Sequence, residues 1–102
     1  NGIIGLETSF AGACTALVAS GKMDISRLIE LLSVNPCRIL SLPGGHIRMG
    51  DAADLTLFDP AEKWTFTEAD IASRSRNTPF LGQEFTGRVH ATIKDGTITF
   101  QL

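Results

Sequence analysis

The sequence is poor in cysteine, has no excess of positive charge and contains no long apolar run. Nine Lys and Arg residues against eleven Asp and Glu residues give a formal charge of -2, so no basic excess exists to neutralise phosphates and no nucleic-acid partner is expected. No stretch approaches the roughly 20 apolar residues that span a bilayer. A charged segment followed by an apolar stretch, the mark of a secretory signal, is also missing. We therefore expect a cytoplasmic protein with no membrane partner.

Only two cysteines, Cys14 and Cys37, could form a disulfide or a thiolate metal site. They form no CxxC pair and no regular series of spacings. Without a secretion signal, such thiols are typical of reduced, buried side chains in a cytosolic protein. Both are predicted to pack on helix faces rather than to act as nucleophiles.

The composition that is present is that of an ordinary folded protein. Of the 102 residues, 43% are apolar and 20% are charged, which argues against disorder. The chain begins with Asn1 rather than Met, and its opening Asn-Gly-Ile-Ile-Gly is typical of the middle of a loop. We expect either one small domain or a piece of a larger protein.

The first 42 residues have a helical pattern. Apolar residues recur at helical spacing over residues 8–19 and stop at Gly21, which predicts a first helix. Asp24 is a good N-cap for a second helix. Asn35-Pro36 is a further start signal, so a short third helix is predicted over residues 36–40.

Beyond Pro43, apolar and polar residues alternate with a period of two, as in β-strands. We predict about five strands, at residues 46–49, 53–58, 63–66, 88–93 and 97–102. Asp59-Pro60 is predicted to end the second of these, and Asp95-Gly96 between two alternating runs predicts a type I′ hairpin turn. Helices followed by strands predict the α+β class.

The residue types offer no complete active site. His46 and His90 have no ligand-type neighbour at HxH or HExxH spacing, so each is interpreted as an exposed or hydrogen-bonded histidine. No serine lies in a GxSxG nucleophile elbow. Asp54 is interpreted as a hydrogen-bond acceptor for a turn. Glu7 is interpreted as an acid in the first turn of the first helix, where it favours the helix dipole.

Two loops leave a functional role open. Gly2 and Gly5 permit close backbone approach, and a loop that opens onto a helix N-terminus can hold an anion, although the lysine of a P-loop is missing. The second loop, residues 74–80, carries two cations. It either fastens its backbone to a neighbouring element or is solvated, and a substrate role is the less favoured interpretation.

Four segments of the chain together resemble the C-terminal end of bacterial dihydroorotases, members of the metal-dependent amidohydrolase superfamily. They read GIIGLETSF, DISRLIELLSVNPCRILSL, GDAADLTLFDP and SRNTPFLGQEFTGRVHATIKDGTI, and the resemblance extends over essentially all 102 residues. The Asn35-Pro36 pair and the segment 50–55 resemble the whole superfamily. The GLET motif at 5–8 and the SRNTPF motif at 75–80 are more specific to dihydroorotases.

The resemblance implies a fold. The chain is expected to be the C-terminal fragment of a (β/α)8 TIM barrel with strands of its small composite β domain. Residues 1–43 would be the end of the barrel, namely the loop after strand 8 and the final helices. Residues 44–102 would be the C-terminal part of the small β domain.

The resemblance also implies a reaction, the zinc-dependent reversible cyclisation of N-carbamoyl-L-aspartate to L-dihydroorotate in pyrimidine biosynthesis. All metal ligands and the catalytic aspartate of the family match positions before residue 1, so no catalytic or metal-binding residue is assigned here and the isolated chain is predicted to be inactive. The family's substrate-binding Phe-Gly pair aligns with Asn1 and Gly2. Gly2 matches, whereas Asn1 replaces the aromatic residue.

Two alternatives and several partners follow from the same resemblance. The parent protein could act on another cyclic amide, as allantoinases and dihydropyrimidinases do, or it could be a non-catalytic scaffold that assembles with aspartate transcarbamoylase. Expected partners are the small-molecule substrate, the rest of the dihydroorotase chain, and either a second copy or aspartate transcarbamoylase. Without the barrel, apolar helix faces would be exposed, so the isolated chain is expected to aggregate, dimerise or stay molten.

Overall fold

The computed structural model describes residues 2–102 as helices followed by one antiparallel sheet. Helix α1 (Ser9–Ala13) continues into a π-helical segment (Cys14–Ala19), and α2 (Ile25–Ile29) continues through a π-helical segment (Glu30–Val34) into α3 (Asn35–Ile39). The strands are β1 (Leu55–Thr65), β2 (Glu84–Lys94) and β3 (Thr97–Gln101), with a 3₁₀ turn at Glu68–Asp70. The predicted α+β class is confirmed.

The first two helix predictions are confirmed in position. Gly21 has a φ of 82°, which ends the first helical run in the left-handed conformation that glycine tolerates. Asp24 caps α2, since its Oδ1 accepts a hydrogen bond from the backbone N–H of Arg27 at 2.8 Å.

The short third helix is confirmed within one residue as α3, with Pro36 in its first turn, but the prediction that Asn35 caps a new helix start is wrong. Asn35 keeps helical angles, φ -65° and ψ -46°, so the helical path continues from α2 into α3 without a break. Pro36 has no backbone N–H to donate within a helix. The π-helical segment before it shifts the backbone hydrogen bonds from i→i−4 to i→i−5 spacing, and this change allows the helix to continue through Pro36. Asn35 does not cap the backbone, and its side chain instead accepts from Arg38.

The sheet has three strands in the order β1-β2-β3, not the five predicted. Residues 46–49 form no strand but a turn, in which Asp51 accepts from the backbone N–H of Arg48 at 3.1 Å. The predicted second and third strands are one strand, β1. The register shifts between Asp59, which pairs with Arg88, and Lys63, so β1 bulges where Pro60 lacks a donor instead of ending there.

The hairpin between β2 and β3 is as predicted. Asp95 and Gly96 have φ angles of 48° and 78°, the two positive values that a type I′ turn requires. Lys94 and Thr97 pair on either side of the turn.

An aromatic cluster forms the core between the helices and the sheet. Phe66 and Phe85 are fully buried, and Trp64 and Phe80 pack against them. The indole N–H of Trp64 donates to the carbonyl of Gly87 at 2.8 Å, so its polar atom is satisfied. The interpretation of residues 63–66 as a strand that covers a core is confirmed.

The first helical run, residues 9–19, lies in very close contact with β2. A Cβ at Gly87, which has a φ of 109°, would lie 2.6 Å from the Sγ of Cys14. Cys14 is fully buried, and burial raises the pKa of its thiol. Next to it, the Oγ1 of Thr15 accepts from the backbone N–H of Thr86 at 2.9 Å. The helix and the sheet are therefore joined by both packing and hydrogen bonds.

The second helical run leaves most of its apolar face exposed. Leu28 is buried, whereas Leu32 is 48% and Ile39 is 78% exposed. We expect the isolated chain to self-associate, because covering each such side chain contributes roughly 1.5–3 kcal/mol. Size-exclusion chromatography with light scattering checks this, and a monomer with one sharp melting transition would contradict it. None of the helices described over residues 2–102 is long and apolar enough to cross a membrane.

Candidate functional site

The glycine loop, residues 2–5, precedes α1 and is tied to the loop at 75–80. The side-chain amide of Asn77 donates to the carbonyl of Gly2, and the N–H of Ile4 donates to the carbonyl of Asn77 at 2.9 Å. Gly2 is exposed and has a φ of 82°. The structure thus brings together the glycine loop and the SRNTPF motif, whose contacting residues Gly2 and Asn77 are 75 residues apart in the sequence. The other predicted substrate residue, Asn1, lies outside the described residues.

Glu7 makes a second connection between the start of the chain and the segment just before the 75–80 loop. One carboxylate oxygen, Oε1, accepts from the N–H of Ala72 at 3.1 Å, the N–H of Ser73 at 2.7 Å and the hydroxyl of Ser73 at 2.6 Å. The prediction that Glu7 lies in the first helical turn is wrong, since α1 begins at Ser9. The carboxylate instead accepts hydrogen bonds from the backbone N–H groups of residues 72–73. Charge-assisted hydrogen bonds of this kind are stronger than the interaction of a carboxylate with a helix dipole.

The environment of Glu7 changes its protonation. The hydroxyl of Ser73 lowers the pKa of the Glu7 carboxyl, and this and the backbone donors outweigh the opposing effect of partial burial. The second oxygen, Oε2, is buried and has no hydrogen-bond partner within residues 2–102. The charged form of Glu7 is therefore the form that holds the loop.

This lowered pKa predicts a pH dependence of stability. A carboxyl with a depressed folded pKa stabilises the fold above its unfolded value of about 4.3, and that contribution is lost as the pH falls through the folded pKa. We expect Glu7→Gln to reduce stability at neutral pH, with the difference from the unsubstituted protein shrinking below about pH 4. Thermal unfolding of the variant and of the unsubstituted protein, at several pH values from 3 to 7, measures this difference in stability. The exposed Glu68→Gln is the control, and a pH-independent difference for Glu7→Gln would contradict the expectation.

The loop between these two contacts is braced internally. Arg76 donates to the carbonyl of Ser73 at 2.8 Å, and the hydroxyl of Ser75 accepts from the N–H of Asn77 at 3.1 Å. At its far end, the ring of Phe80 lies 5.9 Å from that of Phe85 in the core. Of the two interpretations of this loop, fastening to a neighbouring element is confirmed.

Both histidines are exposed and lie within hydrogen-bond distance of a carboxylate, as the sequence predicted. The Nδ1 of His46 lies 2.9 Å from Asp51, and the Nε2 of His90 lies 2.6 Å from Glu62. Within residues 2–102, no three His, Cys, Asp or Glu side chains are grouped so that they could hold a metal ion. The described residues therefore do not fit the zinc ions that the family resemblance implies.

Asp54 serves a turn, as expected from the sequence. Its Oδ1 accepts from the N–H of Asp95 at 2.8 Å, and Lys94 lies 3.3 Å from its Oδ2. That backbone donor and the lysine lower the pKa of the Asp54 carboxyl. Asp54 thereby fixes the start of β1 against the hairpin turn.

An open cavity of about 540 Å³ lies between α1 and the sheet. Its lining is mainly apolar, with Glu7, Asp70 and Arg88 as the charged residues and no cysteine, serine or histidine among the described residues. Arg88 lies 3.7 Å from Asp70 and 4.7 Å from the centre of the Trp64 ring. Arg88 thus holds Asp70 and Trp64 together on the cavity wall.

Comparison with known proteins identifies the family. The Amidohydrolase family model matches residues 2–99. The chain is 41% identical to the dihydroorotase of Geobacter sp. (strain M21) over 101 residues, 99% of this chain and 24% of that protein. It is 43% identical to the dihydroorotase of Trichlorobacter lovleyi over 100 residues, 98% of this chain and 23% of that protein. The chain thus spans about a quarter of the length of the curated relatives it matches.

A solved structure agrees with the sequence relatives. The L-hydantoinase (dihydropyrimidinase) of Arthrobacter aurescens superposes on 99% of this chain and 23% of its own with a TM-score of 0.87 at 29% identity, and it is a TIM-barrel amidohydrolase. The resemblance to dihydroorotases and the expected relation to a TIM-barrel fold are confirmed. With a family model that covers almost all of it, the chain belongs to the amidohydrolase family.

Proposed function

We propose that this chain is the C-terminal segment of a dihydroorotase, which reversibly cyclises N-carbamoyl-L-aspartate to L-dihydroorotate in pyrimidine biosynthesis. The observation that carries the proposal is identity of about 40% to dihydroorotases over nearly the whole chain. Identity to the hydantoinase is lower, at 29%. The contact between the glycine loop and the SRNTPF motif at 75–80 adds support, since that motif resembles the dihydroorotase pattern.

In this proposal the chain supplies structure and one substrate contact. Residues 1–43 complete the barrel, residues 44–102 complete the small β domain, and Asn1 and Gly2 present backbone groups to the substrate. Zinc, held by residues outside 2–102, would polarise the cyclic amide and supply the attacking water. The segment alone would be inactive. A cytoplasmic location, a homodimer and assembly with aspartate transcarbamoylase remain predictions.

A chimera tests the proposal. The matching segment of the Geobacter dihydroorotase is replaced with this chain, giving what we call the dihydroorotase chimera. It is expected to keep dihydroorotase activity within about tenfold of the Geobacter enzyme, a change of about 1.4 kcal/mol in activation free energy. A folded but inactive chimera, or one that cannot fold because the segment does not fit, would overturn the proposal.

The runner-up function is hydantoin hydrolysis, which the TM-score of 0.87 favours. The same replacement in the Arthrobacter L-hydantoinase gives a matched second chimera. We expect it to lose far more of its hydantoinase activity than the dihydroorotase chimera loses of its own. The reverse ranking would identify the segment as part of a hydantoinase.

A further inference from the structure

The Asn77 contact restrains the backbone of the glycine loop at two points. The side-chain amide holds the carbonyl of Gly2, and the backbone carbonyl holds the N–H of Ile4. These two groups lie on either side of the Ile3 residue, so one residue of the 75–80 loop fixes both ends of the short segment 2–4.

Gly2 needs such a restraint. It has a φ of 82°, and no atom lies within 4 Å of the position that a Cβ would take. Packing around a side chain therefore cannot hold this residue, and glycine on its own samples positive and negative φ about equally. Hydrogen bonds to its peptide groups are the remaining means of fixing the direction in which those groups point.

The loop that carries Asn77 is itself held at both ends. Glu7 holds Ala72 and Ser73 at one end, and Phe80 packs into the aromatic cluster at the other. Within the glycine loop, Ile4 packs against the core cluster, whereas Gly2 has no side chain to pack. The side-chain amide of Asn77 thus links a loop fixed by the core to the unpacked Gly2.

We propose that Asn77 is a positioning residue of the substrate site: its two hydrogen bonds set the orientation of the Gly2 backbone groups that contact the substrate. This inference rests on the proposed function of Gly2. Because Asn77 orients groups that bind both substrate and transition state, its loss acts on substrate binding rather than on the chemical step.

The test uses the dihydroorotase chimera with Asn77→Leu, which keeps the side-chain volume and removes the donor without adding charge. Because Asn77 is exposed, one neutral hydrogen bond is at stake, and we expect KM for dihydroorotate to rise about three- to tenfold with kcat within about twofold. Asn77→Ala gives a second, smaller side chain in case the leucine variant misfolds. Arg74→Gln is the control, since Arg74 lies in the same loop, is exposed and makes no side-chain hydrogen bond to residues 2–102, and its KM should not change.

Hydrogen exchange of the peptide that contains residues 2–7 is the second readout. Asn77→Leu is expected to speed exchange there and leave β2 unchanged. Unchanged KM and exchange in both Asn77 variants, or an equal KM rise in Arg74→Gln, would overturn the inference. If the unsubstituted chimera is inactive, the proposed function fails, while faster exchange in Asn77→Leu would still show that Asn77 restrains the loop.

Discussion

Replacing Gly87 with alanine is expected to lower the free energy of unfolding by roughly 2–6 kcal/mol, the combined range for backbone strain and overpacking. The new methyl group would lie 2.6 Å from the Sγ and 2.9 Å from the Cβ of Cys14, closer than real Cβ contacts. The φ of 109° adds strain that no movement of Cys14 relieves. The apparent melting temperature of the dihydroorotase chimera measures the loss.

Gly12→Ala is the matched control for that experiment. Gly12 lies within α1, and no atom outside the helix backbone lies within 4 Å of its would-be Cβ. The same chemical change should therefore stabilise by about 0.5–1 kcal/mol through reduced freedom of the unfolded chain. Combining Gly87→Ala with Cys14→Gly should restore part of the loss, and a Gly87→Ala variant as stable as Gly12→Ala would contradict the close contact.

Phe85→Ala is expected to cost about 3–5 kcal/mol, as for other large aromatic side chains removed from a core. The ring is 1% exposed, and its centre lies 5.6 Å from that of Trp64 and 5.9 Å from that of Phe80. Loss of the ring leaves a cavity and also frees Phe80, the inner end of the loop that carries Asn77. The melting temperature of the chimera should fall, and KM for dihydroorotate should rise at temperatures where the variant is still folded.

Phe85→Leu separates the two effects. A leucine fills most of the volume, so the expected cost is about 1.5 kcal/mol or less, and Phe80 keeps an apolar neighbour. KM should stay near that of the unsubstituted chimera. A Phe85→Ala variant with a melting temperature equal to that of Phe85→Leu would contradict the central position of this ring.

Local signals in the sequence predicted the elements that are set by local chemistry. The Asp24 cap, the stop at Gly21 and the Asp95-Gly96 turn each depend on one residue's backbone preference or side-chain donor, and all three are confirmed. Asn35 and Pro60 misled, because the helical path continues through Asn35 without a new cap and a β-bulge accommodates the missing N–H of Pro60 without ending β1. Such accommodations depend on hydrogen-bond partners elsewhere in the chain.

The site was less accessible to sequence reasoning. Gly2 was singled out from the glycine spacing and from the family resemblance, but the roles of Glu7 and Asn77 were missed. Each meets partners 65 or more residues away in the sequence, and no periodicity encodes which loop a carboxylate or amide will reach. The hint that the sequence offered was that the GLET and SRNTPF motifs both resemble the same enzyme family.

The burial of Cys14 gives the molecule a built-in chemical probe. Its thiol is fully buried against Gly87 and has a raised pKa, whereas the second thiol, Cys37, is only half-buried. An alkylating reagent can therefore reach Cys14 only after the first helix lifts from the sheet, while Cys37 reports the reagent's activity in the same tube. The ratio of the two labelling rates, read by mass spectrometry, would measure how often the interface opens, without any mutation.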